Sequence, residues 1–216
     1  MLLLELLKLL LSDPIKFVIA IVILFVPLLI SITVHEWAHG FTAYKFGDPT
    51  PKNQGRLTLN PFSHLDPVGT LMLFIIGIGW AKPVEINPGN IEQPYKKFKL
   101  MMVALAGPLS NFTLGVFFTF VLYFLIGNVF FESLLSWLVI INFALGMFNL
   151  IPLPPLDGAN VIANLLPDNL ARTYFKLAPF SLPILFLLIL TGAIRYIFDF
   201  AYIIQQELLK LIASIL

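Results

Sequence analysis

Twenty residues, Ile15 to Val34, are apolar except for Lys16, Ser31 and Thr33. A run of about this length crosses a bilayer as a helix, because in hydrocarbon only a helix or a closed barrel satisfies its own backbone. Asp13 can cap that helix, and Pro14 suits its first position. The pattern predicts continuation to Phe46 and a stop at Gly47, with Pro49 beyond. At about 1.5 Å per residue the helix would be roughly 50 Å long, against a hydrocarbon core of about 30 Å. It must tilt or protrude, so His35 falls near one edge of the hydrocarbon.

Composition agrees. The chain is 59% hydrophobic and 12% charged, with 21 Phe and a mean hydropathy of +0.93; soluble domains carry about 25% charged residues. This is the make-up of an integral membrane protein in a lipid bilayer. A net charge of +1 with no basic face argues against nucleic-acid binding. The absence of cysteine removes disulfides and thiolate metal ligands. Glu5 and Lys8 interrupt the leading leucine run, which reads as a helix lying on the membrane surface rather than a signal peptide.

Three more spans are expected, over residues 98–126, 134–151 and 180–198. A short helix over 159–166 and an amphipathic helix over 201–216 complete the helical set. Residues 48–95 are rich in Pro, Gly and Asn, yet Val68 to Ala81 is apolar and too short to span, so it reads as a re-entrant segment. Arg56–Leu59 and Pro83–Asn87 alternate in polarity and predict a short β-hairpin. The expected fold is an α-helical polytopic membrane protein: about four transmembrane helices, a re-entrant segment with that hairpin, and amphipathic terminal helices. It forms one domain over residues 1–216, with a core over 14–166 and a C-terminal span and amphipathic helix over 180–216. Of the 13 Lys and Arg, nine fall on the side that carries the 48–95 region, which puts that side in the cytoplasm.

That first helix ends in "HEWAH". His35 and His39, at i and i+4, share one helix face. Two imidazoles so placed can bind one Zn²⁺, with Glu36 beside them as a general base. With 3 His in the chain, chance supplies such a motif roughly once in a thousand sequences of this composition. A catalytic zinc site needs a third protein ligand. Candidates are His64, Asp66, Glu85 and Asp157, whereas Glu132 lies at the opposite membrane edge. Asp157 sits on the correct side, where the prolines at 152, 154 and 155 end the third span; it could equally cap the next helix.

"HEWAHGFTA" (35–43), "AGPLSNF" (106–112) and "NLIPLPPLDG" (149–158) together resemble the site-2 protease family of intramembrane zinc metalloproteases. The resemblance covers about residues 15–165, in the family's motif order. It implies that His35, His39 and Asp157 bind one zinc ion, that Glu36 is the catalytic acid/base, and that Asn149 helps hold the substrate carbonyl or its oxyanion. It implies hydrolysis of peptide bonds within or next to transmembrane segments of membrane-protein substrates, often to release regulators. No stretch is long enough for a PDZ domain, and the compact form resembles minimal bacterial or archaeal members.

A substrate helix must unwind to be cut, and its freed backbone groups need partners. A strand edge at Val84, Glu85 and Ile86, or at Arg56–Leu59, would supply them. Ser31 and Thr33 either line a water inlet or bond their own helix. Gly107, Asn111 and Gly115 form a small/polar stripe at i, i+4 and i+8. It predicts close helix packing, with Asn111 facing the active site as the alternative. Asn142 and Gly146 read as packing residues. His64 is expected either as a hydrated loop residue or as an accessory group at the substrate entry. A zinc transporter or sensor would use the same ligands, but would set them along a pathway, often with repeats; here the polar groups cluster at one edge and no repeat is seen. His64→Ala should leave bound zinc unchanged and Asp157→Ala should lower it, as metal analysis of the purified variants will decide.

Overall fold

The computed structural model describes residues 2–76 and 79–216. Helix α1 (Leu2–Ser12) leads into α2 (Pro14–Lys45). The Asp13 side chain accepts the Lys16 N–H at 3.1 Å, the capping bond read from the sequence. At the other end Gly47 adopts φ +99°, a conformation that ends the helix at little cost only for glycine. A short helix α3 (Thr50–Asn53) and α4 (Pro67–Ile76) occupy the next region. Then come α5 (Lys96–Phe124), α6 (Val129–Asn149), α7 (Asp157–Leu165), α8 (Asp168–Tyr174), α9 (Ala178–Leu190) and α10 (Arg195–Ile215).

Four stretches are long and apolar enough to cross a membrane: Pro14–Lys45, Lys96–Phe124, Val129–Asn149 and Asp168–Leu190. The first three match expectation within a few residues. The fourth ends earlier than the sequence pattern implied. Thr191 bonds its hydroxyl back to Leu187 O at 2.8 Å and Gly192 turns with φ +73°, so Arg195–Phe198 belong instead to α10.

Helices α2, α5 and α6 pack against one another, and α10 lies along α5 and α6. The core between α6 and α10 is built on Val139, Phe143, Ala144 and Ala201. Gln205 of α10 is buried and donates to Ser136 Oγ of α6 at 2.9 Å. Phe120, Phe124, Leu182 and Phe186 point outward and exposed, as lipid-facing side chains do. The α5–α6 contact depends on small residues. A Cβ on Gly115 would lie 2.9 Å from the Phe143 ring, and one on Gly146 would lie 2.7 Å from the Phe112 ring.

The 48–95 region is not the expected β-hairpin. Among the described residues the sole β-type pairing is one antiparallel bridge, Leu65 with Ala81. Arg56–Leu59 and Pro83–Asn87 make no ladder with each other, and several of their polar groups are engaged elsewhere. Arg56 donates to Ser63 O and Thr58 O accepts from His64 Nε2. Val84 donates to Glu36, and Pro83 has no N–H to offer. The alternation at 83–87 reflects the turn of Val84 and Ile86 toward α2, whereas at 56–59 Arg56 is buried and Leu59 exposed. Helix α4, ten residues long, is too short to span. Its base is closed by the Leu65–Ala81 bridge and by Lys82 N–H donating to His64 O at 2.9 Å. Of the predicted re-entrant stretch, Gly77 and Ile78 lie outside the described residues.

A buried carboxylate ties this region to α2. Asp48 accepts from Thr50 N–H (3.1 Å), Thr50 Oγ1 (2.6 Å), Asn90 Nδ2 (2.9 Å) and Asn87 N–H (2.7 Å). Burial pushes its carboxyl up, but the hydrogen bonds from Thr50, Asn90 and Asn87 outweigh burial and hold it below the ordinary 3.8. Gly146→Ala should destabilise the bundle by about 1–3 kcal/mol, because an inserted methyl must displace a packed ring; thermal unfolding in detergent measures it.

Candidate metal centre and active site

On the last turns of α2, His35 and His39 are both buried, with Nε2 atoms 3.1 Å apart. Each ring is fixed by the nitrogen that points away. His39 Nδ1 lies 2.7 Å from Val103 O, a backbone carbonyl that can only accept, so Nδ1 carries the proton. His35 Nδ1 lies 2.6 Å from Asn111 Oδ1. The orientation of that amide is set by carbonyl anchors. Asn111 Nδ2 donates to Ser31 O (3.1 Å) and to Asn142 Oδ1 (2.9 Å), while Asn142 Nδ2 donates to Leu138 O (2.8 Å). Both histidines are thereby held as the tautomer whose Nε2 lone pair faces inward.

Val103, Gly107 and Asn111 recur every four residues and form the face of α5 that meets α2. Gly107 must be glycine for space: a Cβ there would sit 2.3 Å from His39 Nε2 and 2.7 Å from His35 Nε2. The small/polar stripe therefore has two functions. Gly115 packs a ring; Gly107 and Asn111 serve the histidines, which is the alternative reading of Asn111 rather than simple packing. Asn142, expected as a packing residue, orients the Asn111 amide; Gly146 does pack.

Asp157 arrives from the far side. The turn 150–156 folds back on the end of α6 so tightly that a Cβ on Gly158 would lie 2.2 Å from Leu150 O. Asp157 is the first residue of α7, and its side chain does not cap that helix. Its Oδ2 lies 3.1 Å from His35 Nε2 and 3.3 Å from His39 Nε2, buried and with no hydrogen-bond donor. Three lone-pair atoms brought together without protons between them repel unless a cation sits among them. Bonds of about 2.0–2.1 Å around a tetrahedral zinc would set its ligand atoms roughly 3.3 Å apart. The donor set fits zinc, and the three side chains are the group of potential metal ligands found among the described residues.

Glu36 and Asn149 line a cavity of about 290 Å³ together with His35. Glu36 Oε2 accepts the Val84 N–H at 2.8 Å. Asn149 Nδ2 donates to Leu145 O of its own helix at 3.0 Å; an amide has two N–H groups, so one remains. The opposite wall is α4 and its return, with Gly69, Thr70 and Trp80. A larger apolar groove of about 640 Å³, between α2, α6 and the start of α10, shares Leu28, Leu73, Gly79, Leu145 and Phe148 with this cavity.

The other predicted residues lie apart from the ligand cluster. His64 is fully buried rather than hydrated; Nε2 bonds Thr58 O at 2.9 Å and Nδ1 has no partner. Its ring and carbonyl both anchor the base of the α4 loop. Val84 is buried, Ile86 packs against Ala43, Ile91 and Val103, and Glu85 is exposed and accepts from Gln54 at 2.7 Å. Ser31 bonds Pro27 O in its own helix. Val103 O and the Val84 N–H were not legible beforehand, since backbone groups carry no sequence signature; the four-residue spacing 103, 107, 111 was the available signal.

Two imidazoles and a carboxylate converging beside a glutamate, inside a bundle of membrane-length helices, define a membrane-integral zinc hydrolase. Comparison with known proteins sharpens the class. Residues 23–136 and 127–190 match peptidase family M50. YwhC of Bacillus subtilis is 37% identical over 81% of this chain and 83% of its own length. Rip2 of Mycolicibacterium smegmatis is 27% identical over 88% and 75%. MJ0392 of Methanocaldococcus jannaschii is 27% identical over 67% of this chain and 34% of its own. All three carry the words zinc metalloprotease in their names, the first two provisionally. No solved structure matches the chain. The chain belongs to peptidase family M50, the site-2 protease family, and is a zinc metalloprotease.

Replacing Asn111 by Leu removes the acceptor that orients His35. Loss of such a partner typically weakens metal binding about 10- to 100-fold, and titration against a zinc chelator should show a drop of that size.

Proposed function

We propose that this protein hydrolyses peptide bonds within or next to transmembrane segments of other membrane proteins, as a step of regulated intramembrane proteolysis, with its active site toward the cytoplasm. The observation that carries this reading is the convergence of His39 and Asp157 on His35, which with Glu36 and Asn149 lines a cavity that adjoins an apolar groove between membrane-length helices. A soluble peptide has no need of such a groove; an apolar substrate segment does. The cytoplasmic placement rests on nine of the 13 Lys and Arg lying on the side of the 46–95 region and the 150–167 turn.

The zinc ion held by His35, His39 and Asp157 would supply Lewis acidity at the scissile carbonyl. Glu36 takes a proton from the attacking water and returns it to the leaving amine. Asn149 offers its second N–H to the substrate carbonyl oxygen, where one such donor is worth about 10²–10³ in rate. The α4 loop, re-entering the bilayer, walls the cavity off from lipid. The Val84–Ile86 segment receives the unwound substrate along the edge opposite α2. There the backbone N–H and C=O of Glu85 carry no hydrogen bond among the described residues, whereas the Val84 N–H is engaged by Glu36.

Glu36→Gln tests the reading. It should retain bound zinc, lose proteolysis by about 10²–10⁴-fold, the usual contribution of a general acid–base group, and accumulate membrane-protein clients that the wild type does not. Cleavage of those clients at the wild-type rate by the variant would remove Glu36 from the chemistry; an absence of captured clients that the wild type cuts would remove the protease reading.

A further inference from the structure

We infer that Asp48 is a positioning residue for Glu36, acting through the segment 82–90; the inference rests on the proposed role of Glu36 as acid/base. Glu36 projects from α2 into the cavity, and the contact that fixes it is the Val84 N–H on Oε2 at 2.8 Å. The conformation of a glutamate side chain is soft, so the precision of this base is the precision with which Val84 is placed.

Val84 belongs to a strap fastened at two ends. At one end Lys82 N–H donates to His64 O at 2.9 Å. At the other, Asn87 N–H and Asn90 Nδ2 donate to the two oxygens of Asp48 at 2.7 and 2.9 Å. Between them the Val84 side chain is buried over Gly40, one turn beyond Glu36 on the same face of α2. A Cβ at Gly40 would stand 3.4 Å from Val84 Cγ1 and 3.2 Å from Pro51, so the strap packs closely on α2 at this position.

Asp48 is itself anchored to α2, through its N–H to Ala43 O at 3.0 Å. Its side chain has no solvent exposure. Everything that reaches its carboxylate is a donor: the Thr50 N–H and hydroxyl, the Asn87 N–H and the Asn90 amide. A carboxylate accepts on both oxygens, whereas an isosteric amide must turn an NH₂ toward one set of donors. Asp48→Asn therefore keeps the volume and breaks the grip on one side, three residues from Val84, without touching the ligand set His35, His39 and Asp157.

The test uses the zinc-loaded full chain. In Asp48→Asn, hydrogen exchange at the amides of residues 82–87 should rise at least about tenfold, with zinc content unchanged. Cleavage of a client recovered with Glu36→Gln, reconstituted in liposomes, should fall about 10- to 100-fold in kcat, the scale of a catalytic group displaced by about 1 Å. KM should stay within about twofold. A loop that merely stabilises the fold would lose zinc and Tm with the rate. To separate the two further, Thr50→Cys and Asn90→Cys in the Asp48→Asn chain, which has no other cysteine, can be bridged by a bifunctional methanethiosulfonate. Bridging should restore kcat and exchange protection, and reductant should abolish both. Wild-type exchange and kcat in Asp48→Asn, loss of zinc along with rate, or a rate that bridging does not restore would each overturn the inference. If wild type cleaves no captured client, the proposed function fails instead, and the exchange measurement still decides whether Asp48 holds the strap.

Discussion

Inside a membrane bundle a polar group that is not hydrogen-bonded costs several kcal/mol, and the site depends on how that requirement is met for two imidazoles. His35 and His39 each present one nitrogen to α5, where Asn111 Oδ1 and Val103 O accept from it. The same bonds that satisfy the outer nitrogens orient the inner ones. Nothing else in the cavity has to hold the rings, and α5 can approach because position 107 is glycine. Helix packing and metal chemistry are thus a single contact between α2 and α5.

The third member of the candidate metal site is a product of chain reversal. Prolines 152, 154 and 155 forbid continuation of α6, and Gly158 lets the returning chain lie directly on the Leu150 and Ile151 carbonyls just beyond its end. Asp157, one residue earlier, is delivered to the histidines as a consequence. Among the described residues two buried side-chain polar atoms lack a partner, His64 Nδ1 in the loop and Asp157 Oδ2, and it is Asp157 Oδ2 that faces two imidazole nitrogens. In a structure that otherwise anchors its buried amides with care, that atom marks where the cation belongs.

The region between α2 and α5 shows where pattern-reading fails. Alternating polarity at 56–59 and 83–87 suggests strands, since period two is the strand signal. In the folded chain both segments are irregular: at 83–87 Val84 and Ile86 turn toward α2, whereas at 56–59 Arg56 is buried and Leu59 exposed. The segments' hydrogen-bonded backbone groups go to partners such as Pro51, His64 and Glu36, not to each other. His64 shows the same failure. A histidine between Pro, Ser and Asp reads as solvated, yet it is fully buried, because the loop closes over it.

The sequence by itself determined the first three spans, the capped start of α2, the pairing of His35 with His39 and the shared face of Gly107 and Asn111. Each follows from periodicity within a few residues, where helix geometry leaves no choice. The tertiary structure alone decided that Asn111 rather than solvent meets His35, 76 positions away in the chain, that of the candidate third ligands it is Asp157 that meets the two histidines, and that the Val84 amide grips Glu36. Those contacts join elements whose separation along the chain carries no periodic trace, so only the packing of the helices and the closing of the loops could select them.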